Sequence, residues 1–275
     1  MKRWLLTLCI FLKSAGLWLA WMTDYTLLGW MVFLGGGTIM VLQLIVPNWQ
    51  GACDVVTNFL PAGKSVWLTI DDGPDPEDTP RLLELLAAHQ AKATFFLIGQ
   101  RAEQYPELVD AIRASGHEIG CHTYTHPTRT FWLAGRCKTR RELDCALPHI
   151  ERERGEVTLY RSPVGIKSIF LRGLLQQRGL RCVGWTIRSG DGLGQDPDVI
   201  VHRVVNNVRP GAIILMHEGY RVASAVRIVA IQRVLESLTR DGYDFIQPTT
   251  DQLRTVPVKS LTPEPTTTTK ELLCN

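Results

Sequence analysis

The chain carries little excess charge of either sign: 30 Lys and Arg against 27 Asp and Glu leave +3. That balance is too small to build the basic field on which nucleic-acid binding depends, so no nucleic-acid partner is expected. Cysteine pairing patterns are also missing. The seven cysteines (Cys9, Cys53, Cys121, Cys137, Cys145, Cys182 and Cys274) are odd in number and widely spaced, in a chain too long to need stapling, so most are read as free thiols. No internal repeat is visible. A 45% hydrophobic fraction over 275 residues excludes disorder throughout and supplies the core of one large domain or two small ones.

Charge is scarcest at the front. Residues 1–50 hold only Lys2, Arg3, Lys13 and Asp24 as charged groups, with five of the eight tryptophans: Trp4, Trp18, Trp21, Trp30 and Trp49. From Thr26 to Val46 no charge interrupts the chain, a run of about 31 Å as a helix, which matches a hydrocarbon core. The stretch from Trp4 to Trp21 is similar except for Lys13, which costs roughly 2.5–3.5 kcal/mol at a helix centre and is offset by leucines and aromatics. It ends in Trp18-Leu19-Ala20-Trp21-Met22 rather than a small-residue processing site, which favours retention over cleavage. Residues 1–50 are therefore expected to anchor the protein in the cell membrane by one or two helices, with residues 4–46 meeting lipid. If Lys2 and Arg3 hold the N-terminus inside, two crossings joined by the turn Met22–Tyr25 return the body to the cytoplasm, whereas one crossing exports it. Unpaired cysteines favour the cytoplasmic side.

After Pro47 the residues to about Ala62 read as a connector. Beyond it, β-branched or aromatic runs alternate with segments of helical period. The runs are 65–70, 93–99, 117–122, 158–161, 181–187, 212–217 and 243–247; the helical segments include 78–90, 106–115, 135–153, 166–178, 196–208 and 222–240. This alternation predicts an α/β parallel sheet, closed as a barrel or open and doubly wound. Asp71, Asp72, His122, Arg161, Asp191 and His217 each fall at or just after the end of a different expected strand, or beside one another on the same strand, and barrel geometry would gather those ends at one mouth. Residues 251–275 are rich in Pro and Thr and are expected to form a disordered tail.

His122 and His126 stand four apart, which would align two imidazoles if the chain turned helically after the strand. The Asp71-Asp72 pair offers a carboxylate to complete a His₂-carboxylate metal site with open positions. A plain strand-ending turn is the alternative for Asp71-Asp72-Gly73-Pro74.

Several stretches occur together and in order: Thr69-Ile70-Asp71-Asp72-Gly73-Pro74, Gly116 through Pro127 containing His122-Thr123-Tyr124-Thr125-His126, Arg161-Ser162-Pro163-Val164-Gly165, Trp185 through Asp191, and Ile214-Leu215-Met216-His217-Glu218. Over residues 64–248, approximately, the chain resembles the polysaccharide deacetylases, the NodB-homology or carbohydrate esterase family 4 enzymes. The resemblance implies a distorted (β/α) barrel of seven or so parallel strands in a domain at 51–250, and metal-dependent hydrolysis of the N-acyl group, in the first place N-acetyl, of an amino-sugar glycan. It implies that Asp72, His122 and His126 hold a divalent metal, zinc in the first place, with cobalt or nickel also suited to the ligands. Asp71 would be the general base oriented by Arg161, and His217 the acid oriented by Asp191. Gly192 departs from the family pattern where an aromatic commonly walls the groove, as do Cys121 and Glu218 where asparagine and aspartate are frequent. By strand alternation Cys121 points away from His122 and is not a ligand.

Three other functions remain open on sequence. They are removal of an acyl or formyl group from a lipid-linked amino sugar at the membrane, O-acetyl ester hydrolysis of a polysaccharide, and catalytically silent glycan binding, against which stands the presence of every ligand, base and acid.

Overall fold

The computed structural model describes residues 2–219 and 223–255, so most of the expected Pro/Thr-rich tail lies outside the described residues. Two helices lead the chain, α1 (Arg3–Met22) and α2 (Thr26–Ile45), and pack as a hairpin. Both are long and apolar enough to cross a membrane. Glycine lets their backbones meet: a Cβ on Gly16 would lie 2.5 Å from the Phe33 nitrogen, and one on Gly29 2.3 Å from the Ala20 nitrogen. Lys13 runs beside Gly36 and Gly37 and sets its ammonium 4.4 Å over the Phe33 ring, so the central charge faces the partner helix.

The body is a curled parallel sheet with helices outside. Its strands are β1 (Val55–Val56), β2 (Asn58–Phe59), β3 (Ser65–Gly73), β4 (Ala93–Leu97), β5 (Glu118–Cys121), β6 (Leu159–Tyr160), β7 (Arg181–Val183), β8 (Ile187–Arg188), β9 (Ile213–His217), β10 (Asp244–Phe245) and β11 (Leu253–Arg254). The order round the curl is β1-β7-β6-β5-β4-β3-β9-β8, with β10 beside the foot of β3. This is the distorted (β/α) barrel expected from sequence, with three revisions. The run 181–187 is two strands, β7 and β8, on opposite sides of a gap that the chain crosses at Gly184-Trp185-Thr186. Residues 51–62 are more than a connector, because β1 extends the sheet, Thr186 Oγ1 donates to Thr57 O at 2.6 Å, and Asn58 bridges Ala212, so the segment closes that gap. The domain also runs past residue 250, since β11 pairs antiparallel with β2.

The helices that follow the hairpin are α3 (Asp78–Ala88), α4 (Gly99–Gln104), α5 (Pro106–Ala114), α6 (Arg136–Asp144), α7 (Leu147–Ile150), α8 (Leu171–Gln176), α9 (Pro197–Val205) and α10 (Ser224–Arg240). Helical period overstated two of them. The segment 135–153 splits between α6 and α7, where Pro148 suits only a first turn. In 166–178 the first residues are drawn into other bonds, the Lys167 amide donating to Leu44 O at 2.8 Å.

Alternation on the strands divides the core in two. Val66, Leu68 and Ile70 of β3 lie under the outer helices, as does Cys121, one of six described cysteines, all free. Trp67 points the other way and fills the barrel with Phe59, Phe96, Val183 and Ile213, its indole donating to Thr94 Oγ1 at 2.8 Å. Gly120 on β5 leaves room for that filling, because a Cβ there would lie 2.5 Å from the Phe96 ring. Gly120→Ala is therefore expected to destabilise the domain by about 1–3 kcal/mol. Guanidinium unfolding followed by tryptophan fluorescence checks this, and an unchanged midpoint would show that the Phe96 ring yields freely.

Candidate active site

Asp71 continues the inward face of β3 after Trp67 and Thr69. By the pleat alone Asp72 would turn out toward the helices. A bulge against β4 between Asp71 and Gly73, with left-handed backbone at Asp72 (φ 74°), swings its carboxylate back to the mouth.

His122 follows β5 on its inward side and is buried. Its Nδ1 lies 2.9 Å from the Arg161 carbonyl, which accepts the ring proton and leaves the Nε2 lone pair on the side of Asp72, available to a cation. His126 does not come alongside by a helical turn, as the spacing suggested. Residues 122–126 form a loop with left-handed backbone at Thr123 (φ 66°) and His126 (φ 53°), which brings the ring centroids to 4.8 Å. Glu142 on α6 fixes that loop: its carboxylate accepts from the amides of Tyr124 (3.0 Å) and Thr125 (2.8 Å) and from the Thr125 hydroxyl (2.6 Å).

Asp72 Oδ1 lies 3.5 Å from His122 Nε2 and 3.1 Å from His126 Nε2. Donor atoms bound tetrahedrally to zinc at about 2.0–2.1 Å are about 3.3 Å apart. One atom from each residue falls within 4.8 Å of the others, and Asp72 Oδ1 is buried without a hydrogen-bond donor. The three residues thus fit a small divalent cation. Burial works against the Asp72 carboxylate, but His122 and His126 hold it well below the usual carboxylate range.

Arg161 is fully buried beneath Asp71. It donates from Nη1 to Asp71 Oδ1 (2.7 Å) and Thr69 Oγ1 (2.8 Å), and from Nη2 to Gly184 O (2.7 Å), with its guanidinium 4.2 Å above the Phe96 ring. Across the mouth, at the end of β9, His217 Nδ1 lies 2.7 Å from Asp191 Oδ1, and Asp191 Oδ2 accepts from the His217 amide at 2.7 Å. Asp191 opens a short 3-10 turn and also accepts from Ser189 Oγ and Gly192 N. Asp71, Asp72, His122, His126 and His217 therefore meet at one mouth, with Arg161 and Asp191 buried behind Asp71 and His217. Its cavity of about 270 Å³ is lined by Asp71, Asp72, His122, His126 and His217, with Val164, Trp185 and Leu193 as apolar walls. Gly192 supplies no aromatic wall, and the ring that lines the cavity comes from Trp185.

Sequence reasoning missed Glu142 and the pair Asp78–Arg227, in which Asp78 Oδ2 accepts from Arg227 Nε (3.0 Å) and from the Gly219 amide (2.9 Å) just beyond His217. Both acids sit in ordinary charged helical stretches, so only burial distinguishes them. Glu218, a departure from the family pattern, is pushed by burial up to about 8 and receives the Thr79 hydroxyl.

Residues 61–183 match the family described as polysaccharide deacetylase. A chitooligosaccharide deacetylase of Azorhizobium caulinodans is 33% identical over 194 residues, 65% of this chain and 90% of that protein. The chain belongs to the polysaccharide deacetylase family. The relatives are named as deacetylases of chitooligosaccharide or of peptidoglycan N-acetylglucosamine, which makes them amide hydrolases. A crystal structure of a peptidoglycan N-acetylglucosamine deacetylase superposes with a TM-score of 0.64 at 28% identity, covering 72% of this chain and 92% of the other. A family 4 pseudoenzyme from Bacillus anthracis superposes with a TM-score of 0.61 at 29% identity, covering 68% of this chain and 65% of that one. The fold therefore hosts both active and silent members, and the side chains at the mouth must decide.

Because Glu142 orients the loop between the two histidines, Glu142→Gln is expected to weaken zinc binding about ten-fold or more while leaving the circular dichroism spectrum unchanged. Calorimetric titration of the metal-free protein with zinc measures it, and an unaltered affinity would make Glu142 a packing residue only.

Proposed function

We propose that this protein hydrolyses the N-acetyl amide of an N-acetylglucosamine-type sugar, and that Asp71, Asp72, His122, His126, Arg161, Asp191 and His217 carry the reaction. The juxtaposition of Asp71, held by Arg161, with the Asp72/His122/His126 donor set is the observation that supports this most directly. The named substrates of the relatives, chitooligosaccharide and peptidoglycan N-acetylglucosamine, point to the same sugar.

In this reading Asp72, His122 and His126 hold zinc, with cobalt or nickel able to replace it. Such a cation supplies Lewis acidity to the acyl carbonyl and to the attacking water. Asp71 accepts the water's proton as oxygen adds to the acyl carbon, and Arg161 keeps the carboxylate aimed at the water rather than rotating away. An amine anion is too poor a leaving group to depart alone. His217 gives its Nε2 proton to the nitrogen as the C–N bond breaks, leaving acetate and the free amino sugar, while Asp191 fixes the ring through Nδ1. No ligand, base or acid is deleted, in contrast to what a silent binder would permit.

Burial opposes a charged His217 ring, but Asp191, then Asp71 and Asp72, carry it up to about 9. The acid is thus loaded at neutral pH, and kcat is expected to fall as pH rises through about 9. Asp191→Asn should bring that alkaline limb down by about one unit or more. Asp71→Asn should lower acetate release from N-acetylglucosamine oligomers roughly a hundred- to ten-thousand-fold with zinc still bound. Release undiminished in Asp71→Asn would remove the base from the mechanism, and none from the unaltered, zinc-loaded protein would favour a binder.

The same proposal divides the chain into a membrane region at 1–50, a deacetylase domain from 51 to about 255, and a tail. Close packing of α1 against α2 supports two crossings, which put the domain on the side of the N-terminus, cytoplasmic by the Lys2 and Arg3 charges.

A further inference from the structure

Carbonyls in and just beyond the last turn of α2 lack helical partners, and one residue takes up three of them. Lys167 donates its amide to Leu44 O (2.8 Å) and its ammonium to Val46 O (2.7 Å) and Pro47 O (2.5 Å), and the side chain is fully buried. Lys167 stands three residues after Val164, which lines the cavity, and a Cβ on the intervening Gly165 would lie 2.4 Å from Pro47. Asn48 Nδ2 donates to the carbonyl of Trp185, the cavity's other wall, at 2.9 Å. The chain thus leaves α2 at Ile45 and touches the rim of the active site two residues later. Two extended residues span about 7 Å, comparable to one headgroup layer of a bilayer.

The surface around this junction is apolar. The 3-10 turn Phe131–Leu133 packs against α2 and leaves Leu133 66% exposed; Ile169 and Phe170, just after Lys167, are 37% and 38% exposed; Val164 is 41% exposed. All four belong to loops that leave the carboxyl ends of β5 and β6, the side of the sheet on which the mouth opens. Trp4 and Trp49, at the domain ends of the hairpin, are exposed as well, and tryptophan at both ends of apolar helices is the pattern of a membrane–water boundary. Continuity with two helices of spanning length identifies what covers this surface.

We infer that the loops bearing Leu133, Ile169 and Phe170 rest in the lipid surface, and that the amide the site opens is carried on the sugar headgroup of a membrane lipid. This rests on the hydrolase reading for its substrate half and on the spanning hairpin for its surface half. A mouth fixed at headgroup depth by a two-residue tether reaches sugars delivered by lateral diffusion in the bilayer. Glycan strands standing further from it are out of range.

The test uses the full chain in vesicles of equal parts phosphatidylcholine and phosphatidylglycerol, with Cys137, Cys145 and Cys274 changed to serine. A fluorophore is placed through Leu133→Cys, Phe170→Cys or Arg154→Cys, the last lying at the opposite, amino end of β6. A headgroup-borne nitroxide lipid is expected to quench the first two and not the third; equal quenching at all three overturns the surface. Acetate release is then compared for N-acetylglucosamine linked through phosphate to a long-chain alcohol in the same vesicles and for the soluble N-acetylglucosamine tetramer. The combined change Leu133→Ser, Ile169→Ser, Phe170→Ser should reduce turnover of the lipid-borne sugar about ten-fold and leave the soluble oligomer within about two-fold, which also shows that the variant folds. Equal loss on both substrates, or unaltered protein that prefers the soluble oligomer, overturns the substrate half. Absence of acetate from either substrate with zinc bound overturns the hydrolase reading, while the quenching result still judges the surface.

Discussion

Two aspartates adjacent in sequence cannot both face the same cavity from a regular strand, since successive side chains alternate sides. The proposed active site depends on breaking that rule at one residue. The left-handed backbone at Asp72 and the bulge against β4 place a carboxylate beside two imidazoles while Asp71 stays on the inward face with Thr69. Aspartate tolerates this conformation better than most side chains. Once both acids share the mouth, like charges crowd it, and the surrounding cations become a requirement: Arg161 against Asp71, and the two imidazoles or a metal against Asp72.

Meeting that requirement puts charge where water cannot reach it. A guanidinium buried as fully as Arg161 would be strongly unfavourable alone, and the barrel answers with acceptors on several sides and an aromatic face below. The tight fit between Phe96 and Gly120 fixes that face. A similar logic holds across the mouth, where buried Asp191 is satisfied by a hydroxyl, two amides and the His217 ring, so that the ring has one orientation to offer. Such networks bring more definition than stability, because replacing them by apolar groups of the same shape need not unfold a protein.

What the sequence disclosed follows from which interactions are local. Strand alternation with helical segments, the barrel ends marked by Asp71, His122, Arg161 and His217, and the charge-free front were all legible, because each is a pattern within a few residues. The division of 181–187 into strands on either side of a gap was not, since nothing within seven residues says which neighbours they will find. Nor was the role of 51–62: two-residue strands have too few positions to show a period, and their partners lie more than a hundred residues away. The four-residue spacing of His122 and His126 suggested a helical face, but a loop held by Glu142 does the work, and the glutamate's burial depends on tertiary packing alone.

One short segment connects these features. Arg161 orients Asp71 with its side chain and His122 with its carbonyl; Val164 lines the cavity; Gly165 admits Pro47; Lys167 closes the end of α2. Within seven residues the chain passes from the proposed reacting centre to the N-terminal helical hairpin, with no flexible linker between. A Gly- or Ser-rich tether would let the domain sample many orientations relative to the N-terminal hairpin. Here the orientation is set by buried hydrogen bonds, and a Lys167 left without its carbonyls would be a buried cation with one remaining acceptor, Gly165 O. The bonds that satisfy Lys167 are thus the same bonds that decide which way the active site faces.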